Sequence, residues 1–104
     1  MTLRIIAQNR LHRPITDAIQ DSNGFIENLC VQASPKSPLW GVDPAADTMF
    51  NEYQLNAIID ELGAWQSVEN SGSQHIQELR TVAMIAARKG GYLWFYGSTD
   101  NAAE

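Results

Sequence analysis

The side chains of this chain that could do chemistry are few and scattered. Asp43 and Asp47 lie close together in residues 39–54, LWGVDPAADTMFNEYQ, close enough in sequence to suggest a metal or an acid–base pair. Asp43 precedes Pro44, where an aspartate commonly initiates a turn, and Asp47 precedes Thr48 near an expected helix start, so both are expected to bond local backbone. His12 and His75 are isolated, and the chain has neither an H-E-x-x-H nor a Cys/His spacing that would hold zinc. His75 falls in the first turn of an expected helix beside an inward Ile76, and His12, between Leu11 and Arg13, belongs to a polar loop. Gly90-Gly91 follows a helical pattern rather than leading into one, so it reads as a helix stop and not a phosphate loop. Ser71 and Ser73 lack a nucleophile elbow and a nearby base, which leaves them a capping role. Cys30, flanked by Leu29 and Val31, reads as a small buried apolar residue, and a single cysteine forms no internal disulfide. No catalytic residue, metal ligand or cofactor-binding residue is expected, and hence no enzyme.

Charge narrows the partners. Twelve acidic residues against seven basic ones give a formal charge of -5, whereas neutralising a phosphate backbone takes clustered Lys and Arg. Direct nucleic-acid binding is not expected. An acidic surface suits a basic protein partner, and it also keeps a small domain soluble. The 104 residues, 44% of them hydrophobic, fit one globular domain over 1–104, with no apolar run long enough to span a membrane. The N-terminus carries no secretion-signal pattern, which makes the cytoplasm the expected compartment.

The elements that must position these residues are read from periodicity. Residues 3–8 (LRIIAQ) are β-branched and read as a strand with Leu3, Ile5 and Ala7 on one face. Residues 9–15 contain Pro14 and read as a turn or edge segment. Asp21-Ser22-Asn23-Gly24 is a turn signal, and residues 25–33 (FIENLCVQA) read as a second strand with Phe25, Leu29, Val31 and Ala33 on one face, broken by Glu27. Pro35 and Pro38 end it.

Residues 51–65 carry Leu55, Ile58, Ile59 and Leu62 at i, i+3, i+4 and i+7, so a helix is expected. Asn51 suits its N-cap, Gln54 is the capping-box partner, and Phe50 and Leu55 flank the cap like a hydrophobic staple. After a polar turn at 69–72, residues 73–89 predict a second helix with Ile76, Leu79, Val82, Ala83 and Ala86 inward and a glycine stop. Residues 92–96 (YLWFY) predict a strand inside a sheet, with Leu93 and Phe95 on one face and Tyr92, Trp94 and Tyr96 on the other. The tail at 98–104 is polar and expected to fray.

The fold class expected is α+β: a small, mostly antiparallel sheet with two α-helices packed on one face. The aromatic row Tyr92, Trp94 and Tyr96 is then either covered by the long central loop, with Trp40 the natural cover, or open to a partner.

Gly41-Val42-Asp43-Pro44, then Asp47-Thr48-Met49-Phe50-Asn51 and Gln54, a helix pair, and Tyr92-Leu93-Trp94-Phe95-Tyr96-Gly97 together form a pattern over the latter two-thirds of the chain. It resembles small bacterial proteins, uncharacterised ones and immunity-type ones encoded near polymorphic or contact-dependent growth-inhibition toxins. Relatives in that pattern often have Tyr-Gly where this chain has Ala45-Ala46, and Gly-Asp where it has Gly97-Ser98. The resemblance implies a non-enzymatic cytoplasmic inhibitor that binds the toxic C-terminal domain of a growth-inhibition effector, expected to be a basic nuclease. Acidic side chains would mimic the phosphates such a domain binds and speed encounter. The candidate contributors are Asp17, Asp21, Asp43, Asp47, Glu52, Asp60 and Glu61, with Tyr53 and Trp40 as aromatic anchors. The alternative is a small enzyme or ligand-binding domain with a pocket around Tyr92, Trp94 and Tyr96.

Overall fold

Alternation of side chains along two central strands decides which side of the sheet becomes the core. In a computed structural model, which describes residues 3–21, 24–43, 45–68 and 73–97, β1 (Arg4–Gln8) pairs antiparallel with β4 (Tyr92–Tyr96) from Arg4↔Tyr96 to Gln8↔Tyr92. β2 (Ile19–Gln20) adds to β1 and β3 (Asp47–Phe50) adds to β4, giving a four-stranded antiparallel sheet in the order β2-β1-β4-β3. Paired residues share a face. Ile5, Phe95 and Thr48 therefore line one side with Ala7, Leu93 and Phe50, while Arg4, Ile6, Gln8, Tyr92, Trp94, Tyr96, Asp47 and Met49 line the other.

The first side is the core, with Ile5, Ala7, Leu93 and Phe95 fully buried together with Leu3. It is closed by α2 (Glu52–Val68) and α3 (Ser73–Arg88), which pack on each other and on the sheet. Leu55, Ile58 and Leu62 from α2 and Ile76, Leu79, Val82, Ala83 and Ala86 from α3 are buried, as their spacing requires. Both helix boundaries follow from side-chain chemistry. Asn51 Oδ1 accepts from the backbone N–H groups of Tyr53 and Gln54, each at 3.1 Å, while Gln54 Oε1 accepts from Asn51 N at 3.0 Å, a reciprocal capping box. At the far end Gly90 adopts φ 63°, and Gly90 N and Gly91 N donate to Ala87 O and Ala86 O, the paired bonds of a Schellman stop.

Residues 25–33 depart from the expected strand. They form α1 (Phe25–Gln32), a third helix, in which Ile26, Cys30 and Ala33 are buried at helical spacing while Val31 is 66% exposed. A stretch this short with apolar residues at 25, 26, 29, 30, 31 and 33 fits both periods. Its capping tips the balance. Asp21 is 3% exposed, and its carboxylate accepts from Ile26 N at 2.8 Å and Glu27 N at 2.9 Å, satisfying donors that a helix start leaves open. Gly24, at φ 74°, turns the chain between them.

The central connection also differs. Residues 47–50, expected to lead into a helix, are the edge strand β3, because pairing with β4 satisfies their backbone before the capping box starts α2. Trp40 does not cover the aromatic row. It lies 53% exposed in a short 3-10 turn at Pro38–Gly41 that packs against α1 and α2, and its neighbour Leu39 is the buried anchor. Ser22, Asn23, Pro44, Ser71, the expected turn at 69–72 and the tail at 98–104 lie outside the described residues.

Candidate functional site

The candidate carboxylates divide between three settings. Asp21 is withdrawn from any contact surface, because its buried carboxylate is occupied in capping α1. Glu61 is half-buried and accepts the Ser37 hydroxyl, while Ser37 Oγ accepts from Leu39 N at 3.1 Å. It therefore fastens the 3-10 turn to α2. Asp43 Oδ1 accepts from Ala45 N at 2.9 Å, and Ala46 N donates to Asp43 O, so the expected local turn forms there. Asp17, Asp43, Asp47, Glu52 and Asp60 are exposed.

Geometry brings only some of these together. Tyr53 and Asp60 are seven residues apart on α2 and share its outer face, with Glu52 beside Tyr53. Tyr53 is 81% exposed. Eight residues separate Tyr53 from Glu61, about 12 Å along the helix axis, and at Glu61 the helix meets the turn that carries Trp40. Tyr53 and Asp60 thus share one exposed face of α2, and Trp40 is exposed on the turn that Glu61 fastens to the same helix. α2, EYQLNAIIDELGAWQSV, holds three acids and no Lys or Arg. One cation reaches α2 from α3, where Arg80 Nε donates to Ile59 O at 3.1 Å beside Gly63, and three others gather elsewhere: Arg10 lies against Gly90, next in sequence to Arg88 and Lys89, where α3 turns into β4. Asp47 belongs to neither group, since its register partner is Tyr96 and it stands on the open face of the sheet.

That open face carries the aromatic row, now with its neighbours. Trp94 and Tyr96 stack at 5.5 Å and 9°, and His12 stacks flat on Tyr92 at 4.3 Å and 6°. His12 reaches this position through a left-handed backbone, φ 62°, and its Nδ1 lies 3.1 Å from Gln8 Oε1. Gln8 Nε2 donates to the Tyr96 hydroxyl at 3.2 Å. The row is thus packed on itself and tied to β1 by a glutamine, all its members at least half-buried except the exposed His12. Trp94 Nε1 is buried and finds no acceptor among the described residues. Arg4, Ile6, Gln8 and Met49 were not among the sequence candidates. Their common face was legible only once β1 and β3 were known to flank β4.

Cys30 is 3% exposed, and its thiol is pushed up from 9.0 to about 12, first by burial and then by the nearby charges of Asp21, Glu61 and Glu27. Among the described residues no three His, Cys, Asp or Glu side chains gather to hold a metal ion, and no helix is long and apolar enough to cross a membrane. The chain matches no family model, no curated protein and no solved structure.

Proposed function

We propose that this protein is an immunity-type inhibitor, which binds a basic toxic domain of a growth-inhibition effector through the acidic strip on α2 and the adjoining Trp40 turn, without turnover. The observation that carries the reading is the 81% exposure of Tyr53 beside the outward carboxylates Glu52 and Asp60, with Trp40, 53% exposed, on the turn fastened to the same helix. Large aromatics gain most when a partner desolvates them, and surrounding charges of one sign select a partner of the other. The formal charge of -5 and the resemblance of residues 41–54 and 92–97 to immunity-type proteins support the same class. A nuclease fits as the partner because domains that grip phosphates present Lys and Arg. The cytoplasm is the compartment in which such an inhibitor acts.

The test is binding and protection with the C-terminal domain of an effector, should one be encoded beside this gene. Purified protein is titrated against that domain, and toxin-producing cells are scored for survival. Tyr53→Ala and Asp60→Lys should each weaken binding, the first by about 2 kcal/mol if Tyr53 is an anchor, while leaving the melting temperature near that of the parent. Glu61 is left out of the variant set because its bond to Ser37 holds the fold. Absence of binding and of protection would defeat the reading.

A further inference from the structure

The open face of the sheet is complementary to itself, and we propose that it is the contact surface of a homodimer. Three register rows cross it: Arg4, Tyr96 and Asp47; then Ile6, Trp94 and Met49; then Gln8 and Tyr92. Arg4 and Asp47 are exposed on opposite sides of Tyr96, two strand spacings or about 10 Å apart in the backbone. The Arg4 guanidinium rests 6.0 Å from the Tyr96 ring centroid between them. Met49 is 40% exposed in the middle row, beside a half-buried Trp94 and an Ile6 that is already buried within its own chain, so Met49 and the Trp94 edge are the apolar groups this row offers.

A two-fold axis between two such faces, parallel to β4, exchanges the β1 side for the β3 side and keeps each row at its level. Arg4 then stands opposite Asp47 of the second copy, and this happens twice. Ile6 stands opposite Met49, while Tyr96 and Trp94 meet their own copies. A two-fold axis across the strands would instead set Arg4 over Gln8 and leave Asp47 without a cation. Charge therefore chooses one of the two symmetric arrangements, and closed symmetry ends the assembly at two chains. Faces in such a sandwich lie about 10 Å apart, a gap that Arg and aromatic side chains from both sides fill. α2 and α3 lie on the other side of each sheet, so the acidic strip of each copy stays outward and does not compete with the dimer.

The patch spans three strands, about 14 Å by 17 Å, with His12 stacked at its rim. That is less than the roughly 800 Å² per partner of a standard stable interface, so the dimer is weak. Sedimentation equilibrium of the full chain, from about 5 to about 500 μM, should show a monomer–dimer equilibrium. Arg4→Asp and Asp47→Arg should each raise the dimer dissociation constant by about tenfold or more. The double variant Arg4→Asp/Asp47→Arg should restore it, because the swapped pair is again complementary. Both residues are exposed, so circular dichroism should be unchanged in all three. A monomer throughout that range, larger assemblies, a dimer indifferent to either reversal, or a double variant as weak as the singles would each overturn the proposal.

Discussion

Trp94 illustrates how one residue can serve a fold while leaving a polar defect. Its ring is stacked and half-buried, yet its Nε1–H has no acceptor among the described residues. Removing an unpaired buried donor while keeping aromatic bulk is nearly free, whereas removing the ring opens a gap. Trp94→Phe should therefore change unfolding free energy by less than about 1 kcal/mol, and Trp94→Ala should lower it by about 2–3 kcal/mol, both read from urea unfolding. Cys30 makes a pH prediction of definite sign. The folded thiol is held near 12 against an ordinary 9.0, so it stays neutral where the unfolded thiol ionises. Its contribution is fully present below pH 9 and is lost as pH rises from 9 towards 12, at up to about 1.4 kcal/mol per pH unit. Cys30→Ala should lose stability less steeply across that window. A thiol reagent at pH 8 should leave the native protein unmodified and label it only after unfolding.

At the scale of elements, the junction between α3 and β4 is the most constrained point described. Gly90 takes a left-handed conformation, and an added Cβ at Gly91 would lie 2.0 Å from Gln8 O, inside the backbone of β1. The close approach is what lets β4 enter between β1 and β3 straight from the helix. Gly91→Ala should displace that strand and destabilise by about 3 kcal/mol or more, since backbone cannot yield as a side chain does. Gly90→Ala should cost about 1 kcal/mol through its positive φ, because the Arg10 guanidinium, 2.8 Å from the added Cβ, is the end of a flexible side chain that can swing aside. Thermal melts of the two variants separate these causes, and equal losses would contradict the steric account.

For the whole molecule, the uneven placement of charge matters more than its sum. α2 carries acids only, while Arg10, Arg88 and Lys89 collect where α3 meets β4. If the acidic strip steers a basic partner, the association rate should fall as salt rises to about 0.15 M, where the screening length is about 8 Å, and dissociation should change less. Asp60→Lys should slow association more than Asp17→Lys. Asp17 precedes β2 at one edge of the sheet, while α2 packs by β3 at the other. Stopped-flow or surface-binding rates against the toxic domain at several salt concentrations measure both effects. Equal slowing by the two reversals would remove the steering role from α2.

Local pattern by itself determined β1, β4, α2 and α3, with their inward residues, the Asn51–Gln54 capping box and the glycine stop at Gly90. Each of these is a long or strongly periodic run, or a cap whose donors and acceptors lie within a few residues, so its physics is complete in the local chain. Tertiary structure decided the rest. Residues 25–32 fit two periods until Asp21 capped the helix, and β2 and β3 are so short that only pairing with β1 and β4 makes them strands. The same pairing settled the candidate carboxylates. Asp21 was drawn inside, Glu61 was tied to Ser37, Asp47 was turned to the open face and Asp60 was left outward with Tyr53, because burial and facing depend on partners that lie far along the chain.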